Sequence, residues 1–371
     1  MKAALKRLER AWRALWIRLL TRLMRQGGTP EPPDWGARPH RVLFLRHDRI
    51  GDMILSTGIL RVIATSHPTI TLDVLASPAN APVLREDPHV ESVIVFDRAK
   101  PWRYPAMVRR LRRARYDAVI DCMPTAPSLT TLLLILASGA THRIGVAGRG
   151  NDAAFTLLVR PRGSATHIVD QLAALSTAFD VDPPAADFRP CLYLDASERA
   201  QASGTWDTSA RGAPGRRLLV NVSSGRAFRR WPDGRFVAAI WHALARDPDL
   251  AILLIGGPDE WDRAAGIARD AKVPFVPTRT LREALALVAT ADLVFTPDTG
   301  LAHAASAFGR SAVVMHIHGT AAQWGPYGTD GCAVSSPDRT LTSLPLGSVV
   351  EELDRLLGDP REPEARTAAR A

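Results

Sequence analysis

The sequence predicts an α/β protein with two parallel sheets and one basic helix in front of them. Three observations support this class. Short apolar segments alternate with segments of helical periodicity, the alternation occurs in two series, and the first 26 residues form a separate basic pattern. Strands that alternate with helices are typical of βαβ units. A chain of 371 residues with 46% hydrophobic content is long enough for two packed domains.

The first segment, residues 1–26, has the pattern of a basic amphipathic helix, with eight Lys or Arg residues and a single acidic residue, Glu9. Its large apolar residues recur at helical spacing, with most basic residues on the other side. They are Leu5, Leu8, Trp12, Leu15, Trp16, Leu19 and Leu23. No uncharged run here is long enough to span a bilayer. We expect the helix to lie in the interface of an anionic membrane, and docking on the protein itself or on a partner is the alternative.

Composition shifts divide the rest of the chain. Residues 27–40 are rich in Gly and Pro and predict a linker, and residues 41–185 contain the first series of strands, beginning with "RVLFLR". A stretch rich in Pro, Asp and Ala precedes the second series, so residues 186–358 are expected to form a second domain. Residues 359–371 lack large apolar side chains and predict a disordered tail.

The cysteines and the missing nucleotide motifs exclude several protein classes. Cys122, Cys191 and Cys332 are far apart and odd in number, so they predict neither a disulfide framework nor a zinc site, and a reducing compartment fits them. The sequence has no G-x-x-x-x-G-K-[ST] loop and no G-x-G-x-x-G after the first strand, which disfavours an ATPase and a dinucleotide-dependent dehydrogenase. We therefore assign no metal and no cofactor.

One acidic residue follows the first predicted strand. In "LRHDRIGDMILSTG", Asp52 lies where the strand gives way to helical periodicity. A carboxylate at this place can cap the helix, hold a cation or accept a proton from a substrate, and Asp48 in the same loop is a rival base. Because parallel sheets bind ligands at the carboxyl ends of their strands, we expect Asp52 to be directed to a ligand.

Two loops of the second series predict an anion-binding site. Ser223 and Ser224 follow a strand and precede Arg229, and hydroxyl and guanidinium groups together suit a diphosphate. Asp298, Thr299 and Gly300 begin a helix, whose free N–H groups also attract anions, although Asp and Thr are common N-caps on structural grounds alone.

A third loop, "LLIGGPDE", contains Glu260 at the start of a helix. A carboxylate at this place can accept hydrogen bonds from a ribose. As a helix-start acid it can equally serve only the helix dipole. The three loops together indicate a nucleotide-diphosphate ligand in the second domain.

These segments resemble the motifs of glycosyltransferase family 9, which comprises the ADP-heptose lipopolysaccharide heptosyltransferases and their relatives. The resemblance lies in "RVLFLRHDRIGDMILSTGILRVI", "VNVSSGRAFRRWP", "LLIGGPDE", "FTPDTGLAHAASAFG" and "WGPYG", in the family's order, over roughly residues 41–330. It implies a GT-B fold, in which two Rossmann-like domains face each other across a cleft. It also implies inverting, metal-independent transfer of a heptose from ADP-heptose to a lipopolysaccharide inner-core acceptor.

The resemblance also implies roles for individual residues. Asp52 matches the family's general base, which deprotonates the acceptor hydroxyl. Asp298 matches a residue near the transferred sugar, and Glu260 matches the ribose-binding acid. His303 would lie beside the phosphates, with a packed helix histidine as the alternative. The groups expected to stabilise the leaving diphosphate are Arg229, Ser223, Ser224, Thr299, Gly300 and Leu301.

The implied partners are a nucleotide-sugar donor, an anionic lipid-linked glycan acceptor and an anionic membrane surface that residues 1–26 contact. The implied location is the cytoplasm, on the inner face of the inner membrane. A nucleic-acid partner is not expected, because the basic cluster "RYPAMVRRLRRARYD" has few interleaved aromatic residues. Two other functions stay open, a non-catalytic nucleotide-sugar-binding or scaffolding protein and a sugar-nucleotide epimerase of the same fold. In "MHIHGTAAQWGP" the chain departs from the Gly-Pro-Thr-like turn of relatives, so the donor sugar also stays open.

Overall fold

The computed structural model describes residues 2–25, 33–123, 128–161, 163, 166–209 and 215–358. The chain divides into two units, Met1–Phe188 and Arg189–Ala371. Residues 27–32 of the predicted linker and the predicted tail, residues 359–371, lie outside the described residues.

The first unit contains a parallel sheet of six strands, in the order β3-β2-β1-β4-β5-β6. The strands are β1 (His40–Arg46), β2 (Ile70–Ala76), β3 (Ser92–Val95), β4 (Ala118–Asp121), β5 (His142–Val146) and β6 (Leu157–Val159). The helices are α1 (Lys2–Arg25), α2 (Ile50–Ser66), α3 (Tyr104–Ala114), α4 (Leu129–Ser138) and α5 (Ile168–Ala173). The side chains of residues 42–45 in β1 are fully buried, as expected for a central parallel strand covered on both faces.

The second unit contains another parallel sheet of six strands, in the order β12-β11-β10-β7-β8-β9. The strands are β7 (Arg217–Asn221), β8 (Ala251–Gly256), β9 (Phe275–Pro277), β10 (Leu293–Pro297), β11 (Ser311–His316) and β12 (Gly331–Ser335). The helices are α6 (Ala196–Ser209), α7 (Asp233–Arg246), α8 (Trp261–Ala271), α9 (Leu281–Thr290), α10 (Gly300–Ala307), α11 (Ala321–Trp324) and α12 (Leu346–Leu357). Its core includes Trp231, Phe236 and Phe295, whose rings pack against one another.

Both sheets have the strand order of a Rossmann-like domain, which confirms the predicted pair and gives the chain an α/β fold of GT-B type. In each sheet the chain order reverses between two central strands, β1 and β4 in the first unit and β7 and β10 in the second. Ligands of such sheets bind at the carboxyl ends of the strands beside this reversal. The topology therefore directs attention to the loops that follow β1, β4, β7 and β10.

Several elements were not predicted, among them β6, β12 and α4. β6 and β12 are edge strands of three and five residues, too short to give a clear apolar period. α4, "LTTLLLILAS", is apolar on nearly every side and so lacks the one-sided pattern by which a surface helix is identified in a sequence.

α1 packs on the first unit through Ile17, Leu20 and Met24, and Met24 is part of the core beneath α4. These are not the residues of the predicted apolar face. In the part of the chain that the structure describes, no helix is both long and apolar enough to cross a membrane.

Candidate functional site

Asp52 lies just beyond the carboxyl end of β1, at the reversal of strand order in the first unit. α2 begins at Ile50 and has Arg49 at its N-cap, so Asp52 is in the first turn of the helix. The interpretation of Asp52 as the N-cap residue is therefore wrong. The loop that leads to it is fixed by the buried Asn80, whose amide donates to the carbonyls of Arg46 at 3.0 Å and Arg49 at 3.4 Å.

Arg46, the last residue of β1, stabilises this loop through a fully buried guanidinium group. Its Nη1 donates to the carbonyl of Cys122 at 2.6 Å and its Nε to the carbonyl of Asp52 at 3.0 Å. The same group lies 3.3 Å from the carboxylate of Asp52 and 3.4 Å from that of Asp48. One buried cation thus neutralises part of the charge of two neighbouring acids.

The electrostatics of Asp52 suit proton transfer near neutral pH. Burial raises the pKa of Asp52 to about 6, the positive charge of Arg46 opposes that rise, and the carboxyl group of Asp48 adds to it through its charge and a shared hydrogen bond. A base with a pKa near the working pH combines a high ionised fraction with a high proton affinity. The carboxylate is ionised above pH 6 and can then accept a proton.

We predict that activity falls as the pH decreases through about 6, because protonated Asp52 cannot act as a base. In Asp48→Asn the like charge disappears, so the pKa of Asp52 is expected to decrease and the acidic limb of the pH–rate profile to move to lower pH. Turnover at pH 8 is expected to change by less than about threefold, since Asp52 is ionised in both proteins there. If the acidic limb of the pH–rate profile lay at the same pH in Asp48→Asn as in the wild type, the effect of Asp48 on the pKa of Asp52 would be contradicted.

Asp121 and His47 are further polar residues at this edge of the sheet that sequence reasoning missed. Asp121 ends β4 opposite Leu45 of β1, and burial raises its pKa to about 6. Burial and the neighbouring Arg98 lower the pKa of His47 to about 4, and Arg98 donates to its Nδ1 at 3.1 Å. The available signal for Asp121 was an acid directly after an apolar strand, the same signal that marked Asp52.

In the second unit, the structure brings Arg229 and Asp298 together. Arg229 follows β7 and its Nη1 lies 2.8 Å from Oδ2 of Asp298, which follows β10. Nδ1 of the buried His316, at the end of β11, lies 3.9 Å from the same oxygen. Both side chains of the ion pair remain partly accessible, Arg229 at 24% and Asp298 at 11%, so a ligand can reach the pair.

Ser223, Ser224 and Glu260 form a second network in this unit. The Ser223 hydroxyl accepts a hydrogen bond from the Gly257 N–H, and the Ser224 N–H donates to Glu260 at 2.9 Å. Arg230 also donates to Glu260, at 3.1 Å. Gly225 follows with a φ of 61°, a left-handed conformation that glycine adopts without strain, and the chain turns there. Glu260 thus joins the loops after β7 and β8, and it also accepts from Nη1 of Arg263 at 3.4 Å and from Oγ of Ser224 at 3.5 Å.

The start of α10 lies beside these groups. Thr299 is its N-cap, but its hydroxyl contacts Asn221 and Thr296, both at 3.3 Å, and within the described chain it makes no capping bond to the helix. Gly300 and Leu301 form the first turn and are partly exposed. His303, one turn into the helix, is buried with its ring 6.4 Å from that of Trp324. The first N–H groups of α10 are therefore available to an anion.

Among the described residues, no group of three His, Cys, Asp or Glu side chains is arranged to hold a metal ion. The site residues predicted from the sequence fall into two sets. The first unit has a buried acid with a raised pKa, and the second has guanidinium, hydroxyl and amide donors with two carboxylates. The first set can accept a proton, and the second can bind a diphosphate and sugar hydroxyls.

Comparison with known proteins identifies the family. The model of glycosyltransferase family 9 (heptosyltransferase) matches residues 105–345. The chain is 22% identical over 295 residues to lipooligosaccharide heptosyltransferase 2 of Haemophilus influenzae, a match that covers 74% of this chain and 82% of the relative.

Two solved structures are similar in fold. A glycosyl transferase family 9 structure from Veillonella parvula has a TM-score of 0.75 at 16% identity. The match covers 88% of this chain and 99% of the Veillonella chain. The E. coli heptosyltransferase WaaC with ADP-2-deoxy-2-fluoro heptose has a TM-score of 0.66 at 21% identity. The match covers 85% of this chain and 99% of the WaaC chain. Because the family model spans more than half of the sequence, the chain belongs to glycosyltransferase family 9.

Proposed function

We propose that the protein transfers a heptose from ADP-heptose to a lipopolysaccharide inner-core acceptor, with inversion at the anomeric carbon and without a metal ion. The observation that carries the proposal is the environment of Asp52, a buried carboxyl group with a pKa of about 6 at the ligand-binding edge of its sheet. Family membership supports sugar transfer, and the names of the relatives support heptose and lipopolysaccharide.

On the acceptor side, Asp52 removes the proton of the attacking hydroxyl. The O–H bond breaks as the oxygen forms its bond to the anomeric carbon, and the carboxylate takes the proton. Because the nucleoside diphosphate leaves from the opposite face of that carbon, the configuration inverts. Arg46 keeps the carboxylate aligned through its 3.3 Å contact and its hydrogen bond to the Asp52 carbonyl.

On the donor side, the charge that develops on the departing diphosphate is stabilised without a metal. Arg229 provides the cation, Ser223 and Ser224 provide hydroxyl groups, and the first turn of α10 at residues 299–301 provides N–H groups. In this proposal Glu260 accepts from the ribose and Asp298 from the transferred sugar, while the buried His303 supports the start of α10. The analogue bound to WaaC supports an ADP-linked donor.

The acceptor is proposed to be anionic. A cavity of about 150 Å³ in the first unit is lined by aromatic rings, by the cations Lys100 and Arg103, and by Asp97, which pairs with Lys100 at 3.0 Å. The Phe96 ring lies 5.6 Å from that of His47, which follows Arg46 in the catalytic loop. Phosphate or carboxylate groups on a core glycan match these cations.

The site of action is proposed to be the cytoplasmic face of the inner membrane, where residues 1–26 contact anionic lipid. Their eight basic residues and large apolar residues suit such a surface.

The test is to incubate the purified protein with ADP-heptose, ADP-glucose or UDP-glucose and with lipid A core acceptors of increasing length, and to read the product mass. The expected product carries one added heptose and appears only with ADP-heptose. A product in the absence of acceptor, formed by epimerisation of the nucleotide sugar, would contradict the proposal. Binding of the donor with no product from any acceptor would favour a binding protein instead.

A further inference from the structure

α1 has two apolar faces, and only one of them is covered. Ile17, Leu20 and Met24 pack on the first unit, and Met24 is only 5% exposed. The Met24 carbonyl accepts a hydrogen bond from Nη2 of Arg143 at 3.1 Å, which fixes the end of the helix. The helix is therefore docked on its own protein, as one interpretation of the sequence required, but through a face that the sequence pattern did not indicate.

The predicted apolar face remains open to solvent. Its members with described side chains are Trp12, Leu15, Trp16, Leu19 and Leu23. Trp12 is 57% exposed and Leu15 63%, values far above those of large apolar side chains in the interior. With 3.6 residues per turn, this stripe lies roughly a third of a turn around the helix from the docked face. Packing on the first unit therefore leaves it uncovered.

α4, the helix against which α1 packs, also exposes apolar side chains. α1 packs against α4, whose residues Leu132, Leu134 and Ile135 are buried in the core below. On its outer side, Leu133 is 50% exposed and Leu136 is 36% exposed. Two adjoining helices thus present seven large apolar side chains to solvent, a patch of the kind that marks an interaction site.

The charges beside the patch identify the partner. Arg18 and Arg22 are exposed on the flank of the open stripe away from the docked face, by the same helical spacing. Tryptophan and leucine bordered by arginine suit the boundary between acyl chains and anionic headgroups, where the headgroup charge attracts basic residues. The two arginines lie on one flank of the stripe, so lipid headgroups could contact them while the apolar side chains enter the acyl region.

We propose that the open face of α1 and the outer leucines of α4 form one continuous lipid-binding surface, with α1 held between an anionic bilayer and the first unit. This inference rests on the proposed function, since it specifies how the acceptor-binding unit meets the membrane. The surface adjoins the site, because Thr131 of α4 lies 3.4 Å from Nε2 of His47 in the loop that leads to Asp52. A lipid-linked acceptor in that bilayer would be presented to the same edge of the first sheet.

The test compares full-length variants in sedimentation with vesicles of phosphatidylethanolamine and phosphatidylglycerol. The α1 variant is Trp12→Ser with Leu19→Ser, and the α4 variant is Leu133→Ser with Leu136→Ser. We expect each to weaken vesicle binding by about tenfold, since each loses two side chains that lipid would bury. The control Trp241→Ser removes a tryptophan that is 53% exposed on α7 of the second unit, and should bind as the wild type does.

Three results would overturn the inference. The first is unchanged vesicle binding by the α4 variant, and the second is equal binding of the wild type to vesicles of phosphatidylcholine alone. The third is a change of oligomeric state in both variants without a change in vesicle binding, which would assign the surface to a second copy of the chain. Turnover with a delipidated, water-soluble core acceptor should be unchanged in both variants. If the wild type itself did not transfer heptose to this soluble acceptor, that result would instead contradict the proposed function.

Discussion

Replacing Asp52 by Asn is expected to lower turnover by about 10²–10⁴-fold, the usual contribution of a positioned general base. The substitution keeps the size of the side chain and its place in the first turn of α2, but the amide cannot accept a proton at neutral pH. The remaining rate should not increase with pH through 6, because the titrating group is gone. Single-turnover measurement of heptose transfer from pH 5 to 9 checks both expectations.

Asp48→Asn is the matched control for this variant. It removes the other acid that Arg46 contacts in the same loop, at 3.4 Å, while leaving Asp52 in place. If Asp48→Asn abolished turnover at pH 8 and Asp52→Asn did not, Asp48 would be the base. Donor affinity, measured by titration with ADP, should stay within about twofold of wild type in both variants, because neither acid is among the proposed donor contacts.

Replacing Arg229 by Ala is expected to lower turnover by about 10²–10³-fold, comparable to the loss of one donor to a developing negative charge. The loss has two causes. The departing diphosphate loses its cation, and Asp298 loses the partner that lies 2.8 Å away, so its carboxylate can repel the phosphates. The binding of ADP should weaken as well, which calorimetric titration would measure.

Arg226→Ala is the control for Arg229, because Arg226 is an exposed arginine of the same loop. It should retain nearly full turnover, which would show that the effect does not come from the net charge of the loop. Arg229→Lys should recover part of the activity, since it restores the charge but not the planar fork. Equal losses in Arg226→Ala and Arg229→Ala would contradict the assignment of the phosphate contact to Arg229.

The parallel sheets were predictable because their strands are buried on both faces and therefore appear as continuous apolar runs, such as residues 42–45 of β1. α4 was not predictable, because its apolar residues lie on nearly every side of the helix. The one-sided apolar pattern that identifies a surface helix is therefore missing. The docked face of α1 was not predictable either. Ile17, Leu20 and Met24 are interleaved with arginines in the sequence, and only the presence of the first unit distinguishes them from the open stripe.

The candidate site could be located from the sequence but its internal contacts could not. Asp52 was found because a charge after an apolar strand falls at a ligand-binding edge. The role of Arg46 was hidden, since an arginine at a strand end usually reaches solvent, and here it is fully buried. Its contact with the Cys122 carbonyl depends on the pairing of β1 with β4, which are more than 70 residues apart along the chain.

The docking of Met24 affects how the protein can be shortened. A chain trimmed to begin at β1 would lose a side chain that fills part of the core and would uncover Leu132 and Ile135. Filling a core position of this size typically contributes about 2–5 kcal/mol, a large share of the stability of one domain. The trimmed protein should therefore melt at a lower temperature and aggregate on heating. For crystallisation or enzyme production, polar substitutions on the outer side of α1 are a better route to solubility than its removal.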